Sequence, residues 1–168
     1  MLRIDIVSVL FISSFSYILV KYYRWNLNMG GVHMLDWEAA YIAGIIDGEG
    51  TITLTRMHRK ENRRPCITIA STDKELLLYV QTLSGGTLAN KRNYKPKKHK
   101  DSFTLNIKKK ESVLMILQSI SKYLRVDKKR KRALWILNYY ESVTPRNGKY
   151  SKEALNRKIE FEEQFFKL

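Results

Sequence analysis

Cysteine is almost missing from this chain: Cys66 stands alone among 168 residues. A single thiol excludes an intrachain disulfide and any cysteine-cluster zinc site, and it suits a reducing compartment. Histidine is nearly as scarce. His33, His58 and His99 are scattered without ligand spacing, so each reads as a solvated or polyanion-facing side chain. Acids are also few, with Asp+Glu at 16 against Lys+Arg at 31, for a formal net charge of +15. Such an excess is the electrostatic footprint of a polyanion partner, although a membrane surface or an acidic protein would use it too.

An uninterrupted membrane-length apolar run is absent as well. Residues 4–20 are largely apolar, but Asp5, Ser8, Ser13, Ser14 and Ser16 interrupt them. A span needs ~20 consecutive apolar residues, so length and polarity argue against a membrane anchor. No small-residue cleavage pattern follows that would mark a secretory signal. The segment 1–33 reads as an N-terminal hydrophobic extension of unknown role, with Gly30-Gly31 as its boundary and Met29 and Met34 as conceivable internal starts. The remainder, 34–168, is long enough for one compact domain with a real core.

The most informative run present is Tyr41-Ile42-Ala43-Gly44-Ile45-Ile46-Asp47-Gly48-Glu49-Gly50-Thr51-Ile52. Ala40, Ala43, Gly44, Asp47 and Gly48 follow i, i+3, i+4, i+7, i+8 spacing and share one helix face. Small residues on that face let another helix approach closely. Ile42, Ile45 and Ile46 point elsewhere, towards a core. Acids at a helix C-terminus are disfavoured by ~0.3–1 kcal/mol, and a divalent cation is a candidate to offset that cost. A plain helix end with a Gly cap and incidental acids is the competing reading.

Around this run the pattern alternates α and β. Asp36 is a plausible N-cap for a first helix reaching about residue 47. Residues 51–59 and 64–71 alternate as a hairpin, and Thr72-x-x-Glu75 is a capping box opening a helix that Gly85-Gly86 stops. A second hairpin, 87–94 with 102–108, surrounds a lysine-rich loop, and helices follow over about 110–123, 127–142 and 151–167. Ile52, Leu54, Ile67, Ile69, Leu88, Phe103, Leu105 and Ile107 form the inward set of the strands. The outward set is Thr51, Thr53, Thr55, Arg59, Arg64, Thr68, Lys91, Asn93, Thr104 and Asn106, with Met57, Cys66 and Ala70 among them. A β-ribbon carrying Thr, Asn and Arg can read base edges in a major groove; a solvated sheet face would look the same.

A second oddity is Asp127-Lys128-Lys129-Arg130-Lys131-Arg132. Cations crowd the first turns of a helix whose N-terminus is already partly positive, so an external anion such as phosphate is the natural compensation. A solubilising charge run is the alternative.

Ile42-Ala43-Gly44-Ile45-Ile46-Asp47-Gly48-Glu49-Gly50 resembles the nine-residue signature of the LAGLIDADG homing endonucleases, with Ile for both Leu, Gly48 for Ala and Glu49 for the final Asp. The resemblance implies an α+β fold of order αββαββα with C-terminal helices and a saddle-shaped antiparallel DNA-binding sheet. It also implies Mg²⁺ (Mn²⁺ as a substitute) held by the Glu49 carboxylate and the Gly48 carbonyl, with Asp47 architectural. The seam of Ala40, Ala43, Gly44 and Asp47 becomes a dimer interface, since the motif occurs once in the chain.

The outward strand residues, joined by Lys97, Lys98 and Arg130, become DNA contacts. The basic run resembles the segment in which a lysine reaches the scissile phosphate. Alignment on Ala133 selects Lys129, with Lys128 beside it, whereas alignment on Leu124-Arg125-Val126 selects Asp127. Asp73 matches a polar residue that orders water in the family, though capping also explains it.

The implied activity is site-specific cleavage of double-stranded DNA at a long pseudo-palindromic site, leaving short 3′ overhangs and promoting intron homing. Alternatives are an RNA maturase acting on the host intron and a DNA-binding regulator without catalysis. An organelle or a prokaryotic cytoplasm is the expected location, as the Lys- and Ile-rich composition fits organellar or thermophile coding.

Overall fold

The computed structural model describes residues 34–59, 61–95, 97–145 and 149–168. The chain divides into two units, Met1–Leu35 and Asp36–Leu168, and the hydrophobic extension expected over 1–33 lies outside the described residues. No helix among the described residues is long and apolar enough to cross a membrane.

Nine elements follow in the second unit: α1 Asp36–Glu49, β1 Gly50–Thr55, β2 Arg64–Ser71, α2 Lys74–Ser84, β3 Thr87–Asn90, β4 Phe103–Ile107, α3 Lys110–Ile120, α4 Asp127–Tyr139 and α5 Lys152–Lys167. This is the expected αββαββα order with two C-terminal helices. The strands form one antiparallel sheet in the order β1-β2-β4-β3. Its register sorts the side chains cleanly. Ile52–Ile67–Ile107 and Ile69–Leu105–Leu88 run across one face, and Thr51–Thr68–Asn106–Thr87 and Ala70–Thr104–Ala89 across the other.

Helices cover only the apolar face. Ile42 and Ile46 of α1, Leu77 of α2 and Ile116 and Leu117 of α3 are all inaccessible to solvent, as are Ile67, Ile69 and Leu105 beneath them. Burying each such side chain stabilises the fold by ~1.5–3 kcal/mol. α4 packs along β1 and α3, and α5 packs on α4. Because β1 is an edge strand, its outward carbonyls need partners; Arg132 of α4 donates to the Ile52 carbonyl oxygen at 3.4 Å.

Several boundaries differ from the expected ones. β1 ends at Thr55 and β3 at Asn90, so Met57, Arg59, Lys91 and Asn93 lie in connections rather than on strands. Asp36 is the first residue of α1 and pairs with Lys122 at 3.0 Å. The N-cap of α2 is Asp73, not Thr72: its carboxylate accepts from the Leu76 N–H at 3.3 Å, while Ser71 Oγ accepts the Asp73 N–H at 3.0 Å. Both Thr and Asp cap well, and the serine turn decides the register.

Two glycines are required by geometry. A Cβ on Gly50 would lie 2.7 Å from Ile46 Cα, where β1 leaves α1. Gly86 has φ +100°, and a Cβ there would meet the Asn106 carbonyl oxygen at 2.7 Å.

Candidate nucleic-acid interface and metal centre

The C-terminal end of α1 and the N-terminal end of α4 exchange caps. The Asp47 carboxylate accepts from the Arg125 N–H at 2.6 Å and from the Val126 N–H at 3.3 Å. Val126 is the N-cap of α4 and has no side-chain cap of its own, so Asp47 supplies one from outside. In return, Lys129 Nζ donates to the carbonyls of Ile46 at 2.8 Å and Asp47 at 2.7 Å. These carbonyls belong to the last turn of α1, where no intrahelical donor remains. Each helix dipole thus receives a charge of the favourable sign. The cation that offsets the acids at this helix end is, in part, the chain's own lysine.

This exchange supports the architectural reading of Asp47 and leaves Glu49 on its own. Glu49 is exposed at the tip of α1, and its carboxylate makes no hydrogen bond or ion pair among the described residues. Gly48 beside it is also exposed. No group of three or more His, Cys, Asp or Glu side chains that could hold a metal occurs among the described residues. One carboxylate and one carbonyl cannot form an all-protein cage. They do suit Mg²⁺, which keeps several waters and takes one or two carboxylates together with substrate phosphates. The donor set therefore fits a cation shared with a bound polyanion.

The other candidates divide. Lys129 is part-buried and committed to α1, whereas Lys128 is exposed. Asp127 pairs with Lys131 at 2.7 Å and Arg130 at 3.3 Å, and the hydrogen bond from Lys131 is the main cause holding its carboxyl below the usual range. Asp73 caps α2, so capping explains it.

The open face of α1 is not quite the expected seam. Ala40, Gly44 and Gly48 are exposed, with Trp37 and Tyr41 alongside, but Ala43 is completely buried in the chain's own core. Ala43 is therefore removed from the dimer seam, because a side chain with no exposed surface has none to offer a partner. A Cβ on Gly44 or Gly48 would meet nothing within 4 Å, so that stripe is open. Asp47, the remaining seam residue, faces Arg125 and Val126 instead.

On the sheet, Thr51 and Arg64 are exposed and Thr53, Thr55, Thr68, Ala70, Thr104 and Asn106 half-exposed on the side away from the helices. Thr68 Oγ1 lies 3.3 Å from Asn106 Oδ1. Cys66 is a correction: it points to this side but is only 3% exposed. It sits on a central strand opposite Thr53, with its Sγ 3.6 Å from Thr68 Oγ1, and offers a ligand almost no surface. Met57, Arg59, Lys91, Lys97, Lys98 and Arg130 are exposed. Asn93 is half-buried and structural: its amide donates to the His99 carbonyl and the Asp101 carboxylate, tying the β3–β4 loop together.

Thr87, Ala89, Trp37 and Tyr41 belong to these surfaces and escaped the sequence reading. Alternation around the inward Leu88 would have placed Thr87 and Ala89; nothing in the spacing distinguishes Trp37 and Tyr41 from a solvated flank.

A four-stranded antiparallel sheet with one bare polar face, joined to a small-residue helix ending in a free acid, defines a class as well as a site. The LAGLIDADG-like domain family matches residues 36–121, just over half of the chain, and the protein belongs to that family.

Among individual relatives, an intron-encoded DNA endonuclease of Dictyostelium discoideum is 26% identical over 110 residues, covering 66% of this chain and 41% of that protein. The chain thus spans about two fifths of that relative's length. Of solved structures, the homing endonuclease I-CvuI in complex with its DNA target superposes with a TM-score of 0.61 at 21% identity, covering 78% of this chain and 81% of that one. The archaeal intron-encoded homing endonuclease I-Vdi141I complexed with DNA gives 0.53 at 15%, covering 79% and 84%. I-SmaMI bound to uncleaved DNA in the presence of calcium gives 0.55 at 19%, but with 80% of this chain matching only 46% of that one. These likenesses are of fold.

Proposed function

We propose that this domain is one subunit of a site-specific homing endonuclease that cleaves double-stranded DNA at a long pseudo-palindromic site. The observation that carries the reading is the uncommitted Glu49 carboxylate at the end of α1, next to the bare polar sheet face. The sheet face takes the DNA, with Thr, Asn and Arg side chains reading base edges. The open stripe of Ala40, Gly44 and Gly48 takes the same helix of a second copy and brings two Glu49 side chains near a two-fold axis. That I-SmaMI is matched over about half its length supports a fold unit that works in pairs.

Glu49 and the Gly48 carbonyl would hold Mg²⁺, or Mn²⁺ in its place. A cation held there would supply Lewis acidity, lowering the pKa of a water and offsetting negative charge on the phosphate. Lys129 fixes the helix end from which Glu49 projects, and exposed Lys128 adds positive potential near the phosphate. Asp73 has its cap to make and enters only through ordered water. The compartment is that of the host intron, an organelle or a prokaryotic cytoplasm.

The test is a supercoiled plasmid carrying the uninterrupted insertion locus, incubated with protein and Mg²⁺. Linearisation by the wild type, and its loss by about a thousandfold in Glu49→Gln with DNA affinity kept, is expected. Cutting by Glu49→Gln would remove the metal-ligand role. No cutting by wild type, together with tight binding of the intron RNA, would replace the nuclease by a maturase.

A further inference from the structure

The last helix carries a carboxylate that binds a residue 99 positions earlier in the chain. Glu162 of α5 accepts the Arg63 backbone N–H at Oε1, 3.1 Å, and the Arg63 guanidinium at Oε2, 2.7 Å. The same guanidinium lies 5.1 Å from the centroid of the Phe166 ring, one turn further along α5. The Glu162 side chain is only 10% exposed, so this is an enclosed, two-point contact rather than a surface ion pair.

Its neighbour one turn earlier, Lys158, is buried against the rings of Tyr140 and Phe161 and donates to Thr144 Oγ1 at 3.1 Å. Lys158 thereby ties the middle of α5 to Tyr140 and Thr144, just past the end of α4. Arg63 closes the connection between β1 and β2, and the next residue, Arg64, starts β2 on the bare face, where it pairs with Glu61 at 3.3 Å. The exposed Met57 and Arg59 are carried on the same connection.

We infer that Glu162 is a positioning residue for DNA specificity: through Arg63 it holds the β1–β2 connection in the conformation that reads the outer base pairs of the site. The inference rests on the DNA-reading function proposed above. Positioning matters because base discrimination depends on side-chain placement to within a hydrogen bond's tolerance. A connection anchored at one foot by a charged two-point contact explores fewer wrong placements. The outer pairs are the ones affected, since the connection leaves the sheet at the end of β1 remote from Glu49.

The experiment compares Glu162→Gln, Glu162→Ala and Arg63→Met with wild type by two readouts. In hydrogen exchange without DNA, the Arg63 amide and its neighbours over 61–63 should lose at least about tenfold protection in Glu162→Ala and less in Glu162→Gln, which keeps an acceptor. In cleavage of a library of single-base-pair variants, discrimination at the outer pairs should fall by at least about fivefold, while the cognate rate and discrimination at the central pairs are kept. Equal loss of discrimination at all positions, or unchanged discrimination with faster exchange, would overturn the inference. Should the wild type cut no DNA, the exchange readout still reports the contact, and the failure then belongs to the nuclease reading. Should Glu162→Ala fail to fold, Glu162→Gln and Arg63→Met carry the test.

Discussion

Lys129 donates to the backbone carbonyl of Asp47 at 2.7 Å, so the residue that caps α4 with its side chain is itself capped, through its backbone, by α4. Two opposed helix ends are locked by four hydrogen bonds, and the free acid two residues further on inherits their rigidity. A helix terminus normally frays; this one has its last carbonyls held from outside.

That lock should be measurable. Asp47→Ala and Lys129→Met are each expected to destabilise the domain by about 1–2 kcal/mol. Their combination should cost less than the sum, because both open the same junction. Urea denaturation of the four proteins in the cycle checks this. Strict additivity would mean that the two caps act independently.

Gly44 and Gly50 should respond in opposite ways to the same methyl group. Gly44→Ala meets open space and should stabilise the isolated chain by up to ~1 kcal/mol through helix propensity, while weakening self-association. Gly50→Ala drives a methyl to 2.7 Å from the Ile46 backbone and should cost about 1–3 kcal/mol. Thermal unfolding at low concentration, paired with sedimentation equilibrium, separates the two effects.

Stability should rise with pH above about pH 8. Burial pulls the Lys158 ammonium down to about 8, against an opposing pull from Glu162. Below that pH both folded and unfolded chains hold the proton. Above it the folded chain has released a proton that the unfolded chain keeps to about pH 10.5, so unfolding takes up a proton and is disfavoured by up to about 3 kcal/mol. The gain should level off near pH 10: burial raises the Tyr140 phenol, and the unfolded chain ionises its tyrosine first. Lys158→Met should be at least as stable at about pH 7 and should lose the rise. Chemical denaturation at about pH 7 and about pH 9.5 provides the comparison.

DNA affinity should fall steeply with salt, and the cations of α4 should not contribute equally. Arg130 and Lys131 are paired with Asp127, whereas Lys128 has no ion pair among the described residues. Lys128→Met should therefore lower the slope of log affinity against log salt by about 1, and Lys131→Met by less. Equal slopes for both variants would show that Asp127 does not compete with the nucleic acid.

The strands and their two faces were legible because a period of two leaves little freedom once inward residues such as Ile52, Ile67 and Leu105 are found. α1 was harder. Ala39, Ile42, Ala43 and Ile46 follow i, i+3, i+4, i+7 spacing and share one buried face. Ala43 lies at the border of that face with the stripe of Ala40 and Gly44, and spacing alone does not show on which side of the border it falls. Cys66 misled for a related reason: alternation gives its side of the sheet but not how closely its neighbours cover it. Glu162 and Lys158 stand four residues apart on a helix, a spacing that says nothing of their burial; the return of Glu162 to Arg63 and the rings around Lys158 are what enclose them. Long-range contacts of this kind leave no local periodicity.

The division of the sheet also bears on how the protein can change over generations. Substitutions at Thr51, Thr68, Thr104 or Asn106 leave the volume of the interior untouched, because each of these side chains points away from the helices. A change on the open face disturbs at most a local contact such as that between Thr68 and Asn106, whereas a change on the packed face next to it disturbs the core beneath the helices. Fidelity of folding and freedom of recognition are inherited on alternate residues of the same strands.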